Sequence, residues 1–334
     1  MSNARVWTLG LPVLLALALC AFAFGAYPVS VGEFGTWLGW RLTGSAPPSA
    51  TVISVIEGIR GPRIAAAMIV GASLAVAGAA YQSLFRNPLV SSDILGVSSG
   101  AALGAVLGIF FSLPIWGIQL SSFVGGTVAV LAVYAVARAV TQRDPLLVLV
   151  LAGIVIGTLF GAGISILKVL ADPYNQLPAI TFWLLGSLAG IRGSEVLALA
   201  PAALIGCVPL LLLRWRIDVM TLGEEEAKAL GVDTRFVRVA VIAAATLLTA
   251  AAVCFSGIIG WVGLVLPHLA RLVVGPSFAR LGPASALLGA GFLLIVDTIA
   301  RGAADVEIPL GVLTAVIGTP IFLWLLATAR RAWA

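Results

Sequence analysis

The feature that most constrains this chain is a series of apolar stretches, each about 20 residues long, between short segments that hold most of the charged residues. A helix needs roughly 20 mostly apolar residues to cross the hydrocarbon core of a bilayer. The sequence therefore predicts an all-α, polytopic membrane protein with about ten transmembrane helices, forming one domain over residues 1–334. The predicted spans lie near 6–26, 63–84, 94–112, 115–137, 146–170, 195–213, 236–256, 258–274, 283–300 and 310–328.

Composition agrees with this class, because 61% of the residues are hydrophobic and only 10% are charged, which leaves too little polar surface for a soluble globule. The net charge of +5 indicates topology rather than nucleic-acid binding. With both termini in the cytoplasm, thirteen of the nineteen Lys and Arg residues lie inside, as the positive-inside rule requires. The other six lie outside: Arg41, Arg60, Arg63, Lys168, Arg192 and Arg301.

The first stretch has an alternative interpretation as a cleaved signal, since Arg5 precedes it and Ala21-Phe22-Ala23 resembles a cleavage site. The run from Val6 to Ala26 is long for a signal sequence and favours a membrane span.

The sequence indicates neither a metal centre nor catalytic machinery. Cys20, Cys207 and Cys254 all lie in apolar stretches, as buried thiols do, and His268 is the only histidine. We expect His268 to be a hydrogen-bonded structural residue near the cytoplasmic side of the eighth span. A phosphate-binding loop needs Gly-Lys followed by Ser or Thr, whereas the only two lysines follow Leu167 and Ala227. The chain is therefore predicted not to be an enzyme and to carry no cofactor; any ATP hydrolysis, with its Mg²⁺, belongs to another chain.

The longest polar interruption, between Arg214 and Arg235, contains a predicted cytoplasmic helix over about residues 221–231. Its pattern begins with a capping box from Thr221 to Glu224, continues with an i,i+4 pair of Glu224 and Lys228, and stops at Gly231. Such a helix is too short to cross the membrane. It is either a solvated connector or a docking element for a cytoplasmic partner.

Two arginines, in Arg60-Gly61-Pro62-Arg63, stand directly before the second span. Pro62 suits the first turn of a helix, which would place both cations at the unfavourable positive end of the helix dipole. Lipid phosphates, a charge pair within the protein, or an acidic partner outside could stabilise them, and spacing alone favours the first two. Arg301 has a simpler explanation, because Asp297 lies four residues earlier and predicts an intrahelical ion pair.

Three further segments matter for a transport pathway. The second span ends at Arg86-Asn87-Pro88, after which Ser91, Ser92 or Asp93 can cap the third. The fifth span carries Gly153, Gly157 and Gly161 on one face, which indicates either close helix packing or room for a bulky solute. The external segment from Asp172 to Gly193 predicts an interfacial or partly re-entrant helix at the outer mouth.

Several of these stretches occur together, in the same order, in one family of membrane proteins. Over nearly its whole length the chain resembles the FecCD family, the permease subunits of bacterial ABC importers for iron-siderophores, haem and cobalamin. The shared stretches are Arg60-Gly61-Pro62-Arg63, Arg86-Asn87-Pro88-Leu89, Asp93 to Gly100, Leu222 to Ala227, Gly260 to His268, and Ile308-Pro309-Leu310-Gly311.

The resemblance implies a type II ABC importer permease in the bacterial inner membrane, working as a homodimer with the solute pathway between the copies. It implies that a periplasmic binding protein docks through its glutamates onto Arg60, Arg63 and Arg301, and that Asn87 and Leu89 form part of a cytoplasmic gate. The second gate of the cobalamin member carries a polar pair where Leu146 and Leu147 align here. Two ATPase subunits are implied to grip the cytoplasmic helix, including Thr221, Leu222, Gly223, Glu224, Glu225, Glu226 and Ala227.

Two other classes explain the sequence less well. An ion-coupled transporter usually carries ionisable groups or broken helices near the bilayer midplane, and Asp297 is the one carboxylate clearly inside a predicted span. A membrane scaffold does not account for the cytoplasmic helix and the outer arginines together. For the solute, an uncharged pathway favours a large complex: ferric siderophore first, haem second, then cobalamin or molybdate.

Overall fold

The computed structural model describes residues 3–25, 27, 29–140, 145–303 and 306–329, and the secondary structure of this part of the chain is helical, without strands. The helices are α1 (Asn3–Ala23), α2 (Val31–Thr43), α3 (Ala50–Ile53), α4 (Gly61–Leu84), α5 (Val97–Phe110), α6 (Ile115–Ala139), α7 (Pro145–Leu170), α8 (Gln176–Leu185), α9 (Gly193–Leu212), α10 (Arg214–Met220), α11 (Glu224–Ala229), α12 (Thr234–Ser256), α13 (Val262–Val274), α14 (Phe278–Gly302) and α15 (Leu310–Ala329).

The predicted all-α membrane fold is confirmed. Seven helical stretches are long and apolar enough to cross a membrane, namely Ala50–Leu84, α6, α7, α9, α12, α14 and α15. The other three predicted spans correspond to α1, α5 and α13, which are shorter where they are apolar. With 14 and 13 residues, α5 and α13 reach only about 20 Å, less than the roughly 30 Å of a hydrocarbon core.

Helix α4 lies at the centre of the bundle, where α14, α12, α13 and α9 pack around it. Glycines permit this packing, since a Cβ at Gly71 would overlap the backbone at Gly289, and one at Gly78 would overlap Gly263. Apolar side chains gain little from leaving lipid, so membrane helices associate through such close backbone contacts. By contrast, α7, α9 and α15 bury less than a quarter of their most apolar windows and present apolar faces outward.

The beginning of the second span is a correction. Instead of starting near Pro62, the helix starts at Ala50 and runs through a π-helical segment, Ser54–Arg60, into α4. The N–H of Gly61 donates to the carbonyl of Ile56, five residues earlier, as in a π-helix. Pro62, which has no N–H to donate, follows directly. Arg60 and Arg63 therefore lie inside a continuous helix, so the predicted unfavourable position at a helix start was wrong.

Helix α2, which was not predicted as an element, begins with a capping box. The Ser30 hydroxyl accepts from the N–H of Glu33, and the Glu33 carboxylate accepts from the N–H of Ser30. Its Arg41 pairs with Glu57 at 2.5 Å, and Trp37 donates its indole N–H to the same carboxylate. Glu57 thereby ties α2 to the π-helical segment.

Other sequence expectations met mixed outcomes. The helix predicted between Asp172 and Gly193 is present as α8. The capping box at Thr221 was wrong: its hydroxyl donates to the carbonyl of Asp218, and Gly223 precedes the first residue of α11. Asp93 is not the residue before α5, but its carboxylate accepts from the N–H of Ser98 at 2.6 Å and so serves the expected purpose. Three basic residues of the predicted topology, Arg143, Arg330 and Arg331, lie outside the described residues.

Candidate docking, coupling and gating sites

The structure brings the three predicted outer arginines together in one buried cluster, which we call the outer cluster: Arg60, Arg63, Arg301, Asp297 and Glu307. Arg63 donates from Nε to Asp297 at 2.8 Å and makes a two-point contact with Glu307 at 2.6 and 2.9 Å. Arg301 pairs with Asp297 at 3.2 Å, which confirms the predicted i,i+4 ion pair. Three guanidinium groups and two carboxylates give the cluster a formal charge of +1.

Burial distinguishes the members of the outer cluster. Asp297 is fully buried, and the side chains of Arg63 and Arg301 are 6% and 8% exposed, whereas that of Glu307 is 27% exposed. Arg60 is also buried and donates to the carbonyls of Phe22 and Tyr27. Paired carboxylates offset the cost of burying Arg63 and Arg301, which supports the internal charge pair as the explanation for Arg63, whereas backbone carbonyls hold Arg60.

An open cavity of about 770 Å³ lies over the outer cluster, and Arg60, Arg63, Arg301 and Glu307 contribute to its lining. An acidic group that enters this cavity would meet a net positive charge and a nearby exposed carboxylate. Docking of a partner's glutamates here stays a prediction, and it requires the partner to reach arginines that already hold partners.

Glu307 is the site residue that sequence reasoning missed. It lies 244 positions from Arg63, and periodicity within a helix cannot pair residues so far apart. The available signal was its place in an external loop just before Ile308-Pro309-Leu310-Gly311, on the side predicted for the arginines.

The opposite face carries α11, a helix of six residues that is shorter than predicted. Glu224 accepts from Lys228 at 3.0 Å, as expected, and from Arg238 of α12 at 2.7 Å, which was not expected. The hydrogen bond from Lys228 is the main cause that holds the pKa of Glu224 below its ordinary value, and Arg238 adds to it. Gly231 ends the helix with a positive φ of 79°, as predicted.

The remaining coupling residues divide into exposed and buried members. Thr221, Leu222, Glu225 and Glu226 are exposed, whereas Gly223 and Ala227 are buried. Neither Glu225 nor Glu226 has an ion pair among the described residues. Their carboxylates are therefore available to a cationic surface, in contrast to Glu224.

The turn after α4 carries the two predicted gate residues. The side-chain oxygen of Asn87 accepts from the N–H of Leu89 at 2.9 Å, a local bond that fixes the turn. This arrangement leaves the Leu89 side chain 52% exposed. Asn87 is thus placed to orient the turn, and Leu89 is placed to present an apolar side chain.

The three glycines of α7 have different surroundings. A Cβ at Gly153 would overlap the carbonyl of Ile94, and one at Gly157 would touch Ser99 at 3.5 Å, but nothing lies within 4 Å of one at Gly161. The first two therefore serve helix packing against the start of α5, whereas Gly161 borders open space.

His268 differs from its expectation, because its Nδ1 is buried without a hydrogen-bond partner among the described residues. The Gln82 side chain of α4 links α4 to α13: its amide N–H donates to the carbonyls of Val90 and Leu264, and its oxygen accepts from Arg271.

Comparison with known proteins decides the class of this bundle. The model of the FecCD transport family matches residues 13–328. The chain belongs to the FecCD transport family. It is a membrane-embedded transport subunit rather than an enzyme, and its family implies separate ATPase and substrate-binding partners.

The relatives of this FecCD permease are named for different solutes. The molybdate import permease MolB of Haemophilus influenzae is 40% identical over 94% of this chain and 93% of that protein. The cobalamin import permease BtuC of Halobacterium salinarum is 44% identical over 84% of this chain and 74% of that protein. The hemin transport permease HmuU of Yersinia pestis is 40% identical over 82% of this chain and 83% of that protein.

A solved structure supports the same fold. The inward-facing conformation of a metal-chelate type ABC transporter has a TM-score of 0.88 and 37% identity, and the match covers 97% of this chain and 99% of that one. The predicted type II importer architecture is thereby confirmed.

Proposed function

We propose that this FecCD permease carries an iron chelate, a ferric siderophore or haem, from the periplasm to the cytoplasm. The observation that carries this proposal is the lack of charge on α7 and α15, the mostly unburied helices that we assign to the pathway. Apart from Lys168, their described residues include no charged side chain. A small oxyanion would lose its hydration along such a surface without compensating donors, whereas a bulky chelate shields its own charge.

The names of several relatives support the chelate class. They include iron chelatin transport permeases of Helicobacter pylori, the hemin permease of Yersinia pestis and a Fe(3+)-citrate import permease of Bacillus subtilis. Cobalamin, itself a chelated metal, is the first alternative. Molybdate is the second, because its named permease matches the chain over nearly its full length at a similar identity.

In this proposal the pathway lies between two copies of the chain, with both termini in the cytoplasm. Two ATPase subunits contact α11 and its flanks, while a periplasmic binding protein docks over the outer cluster. Asn87 and Leu89 contribute to the cytoplasmic gate, where the aligned pair Leu146 and Leu147 would make closure more apolar than in the cobalamin member.

A titration of the partner binding protein tests the solute. We expect a ferric siderophore or haem to quench its tryptophan fluorescence, and the loaded form to stimulate ATP hydrolysis by the reconstituted transporter. Cobalamin and molybdate serve as matched alternatives in the same assay. Stimulation by molybdate alone would contradict the chelate proposal and favour the oxyanion, while leaving the assignment to the family untouched.

A further inference from the structure

Glu307 lies where two parts of the outer face meet. Its carboxylate holds Arg63 of α4, and it also accepts a hydrogen bond from the Ser187 hydroxyl at 3.3 Å. Ser187 belongs to the short segment after α8, residues 186–189, which we call the α8 exit segment. One carboxylate therefore connects a candidate docking arginine with the end of the external helix.

The α8 exit segment is joined to the ends of two spanning helices by backbone bonds. The N–H of Ser187 donates to the carbonyl of Ser256 at the end of α12, and the N–H of Leu310 donates to the carbonyl of Gly186 at the start of α15. Gly186 has a positive φ of 74° and lies against the backbone of Ile258, so no side chain fits there. A change in the position of this segment would reach α12 and α15 directly.

Arg63 can hold a two-point contact with one more carboxylate only if Glu307 leaves, because Asp297 already takes its Nε and Glu307 takes both terminal nitrogens. The two acids differ in exposure: Asp297 is fully buried, whereas Glu307 is 27% exposed and borders the open cavity. Glu307 is therefore the carboxylate that can move into water.

We propose that Glu307 is an internal counter-ion that an acidic docking partner displaces from Arg63, and that this exchange frees the α8 exit segment. The inference rests on the proposed docking of a binding protein and deepens it. In the free permease Glu307 occupies the arginine and holds Ser187. When a partner's glutamate takes over the two-point contact, Glu307 moves into the cavity and its bond to Ser187 is lost. Docking outside is thereby coupled to the external helix.

The exchange predicts that Glu307→Gln, although it alters the docking site, should strengthen docking. The variant keeps a hydrogen-bond acceptor beside Arg63 but removes the competing charge, so the partner binding protein should bind about twofold to fivefold tighter. This gain should persist at high salt, because it arises from local competition rather than from long-range attraction. Affinity would be measured on the detergent-purified transporter with its binding protein at two ionic strengths.

Glu195→Gln is the matched control, since it removes another acid, one near the start of α9 that accepts from Gln119 and has no ion pair with Arg63. We expect it to change affinity by less than about twofold, with any change vanishing at high salt. Arg63→Gln should weaken binding. If Arg63→Gln weakens binding but Glu307→Gln does not tighten it, the exchange is wrong while docking stands. If Arg63→Gln has no effect, docking on Arg63 is wrong, and the exchange with it.

A second measurement follows the α8 exit segment directly, in the free permease and with the binding protein added. Ala189 is exposed there, so Ala189→Cys in a Cys20→Ser background can be labelled with an impermeant maleimide. With Glu307 intact, labelling should accelerate when the loaded binding protein is added. With Glu307→Ala, which leaves Ser187 without this acceptor, labelling of the free permease should already be fast. Equal rates for the two free forms would overturn the coupling, whatever the affinities are.

Discussion

The outer cluster and helix α11 use the same kinds of charged residue in opposite ways. In the outer cluster Asp297 is fully buried and the Arg63 side chain is 6% exposed, and each meets at least two opposite charges. On α11 the side chains of Glu224 and Lys228 are 40% and 59% exposed. Charges interact much more strongly in a dry interior than near water, where salt also screens them.

The difference shows that an exposed, unpaired charge can bind a partner directly, whereas a buried, paired charge must first give up the partner that it has. Glu225 and Glu226 of α11 are exposed and unpaired among the described residues, so a cationic surface could meet them with little rearrangement. The outer arginines are already committed, so a docking partner must replace something. Charge predicted from sequence is therefore open to a partner where it is exposed and, in the described part of the chain, unpaired, as at Glu225 and Glu226, but open only by exchange where it is buried and paired, as at Arg63.

The largest effect should come from breaking the outer cluster at its buried acid. Asp297→Asn keeps the size of the side chain but leaves Arg301 with only backbone carbonyls and a hydroxyl as partners. Removing one partner from a buried pair costs about 3–5 kcal/mol, so we expect the free energy of unfolding to fall by that amount. Denaturation by SDS in mixed micelles, followed by circular dichroism, provides the measurement.

Glu57→Gln is the control for this comparison, because Glu57 pairs with Arg41 at a site where the two side chains are 30% and 51% exposed. It should cost less than about 1 kcal/mol. Equal losses for the two variants would show that the outer cluster is hydrated like a surface pair.

A smaller effect, on association rather than folding, is expected at α11. Glu225→Lys combined with Glu226→Lys reverses two exposed carboxylates that have no ion pair among the described residues, so the helix should survive while ATPase recovery falls severalfold. Glu33→Lys, on α2 at the other face, is the comparison variant. Co-purification of the ATPase is the readout, and undiminished recovery with normal transport would rule out the docking role of α11.

The smallest effect should come from Asp93, a half-buried acid near the predicted cytoplasmic gate that has no ion pair among the described residues. Burial raises its pKa to about 6, although the N–H of Ser98 favours the charged form. Between pH 4 and 6 the folded chain therefore binds more protons than the unfolded chain, and stability is lost as pH rises through about 6.

We expect the wild-type chain to melt roughly 1–4 °C lower at pH 7.5 than at pH 5.5 because of Asp93. Asp93→Asn keeps the acceptor for Ser98 and should remove that difference. Thermal melting in detergent at the two pH values is the measurement, and an unchanged pH difference in the variant would assign it to another group.

Local patterns predicted the helical elements of this fold well. Apolar stretches located the spans, and i,i+4 spacing gave the pairs of Glu224 with Lys228 and of Asp297 with Arg301, because one helix brings such residues together whatever surrounds it. The same kind of signal was available for α2 in Ser30-Val31-Gly32-Glu33, which is a capping box.

Contacts between distant segments were beyond such patterns. Nothing near Arg63 indicates that Glu307 will hold it, since this pair forms only when α4 and the loop before α15 meet. The start of the second span failed for a related reason. Pro62 is a strong local signal for a helix start, but a π-helical segment accommodates it inside a longer helix.

That π-helical segment, Ser54–Arg60, also bears on how α2 is attached. Such a bulge holds one residue more than the same stretch of regular α-helix would. Each residue of an α-helix turns the chain by about 100°, so removing the extra residue would rotate Glu57 relative to Arg63 by about that angle. The pairing of Glu57 with Arg41 and that of Arg63 with Asp297 therefore depend on the bulge to hold at the same time.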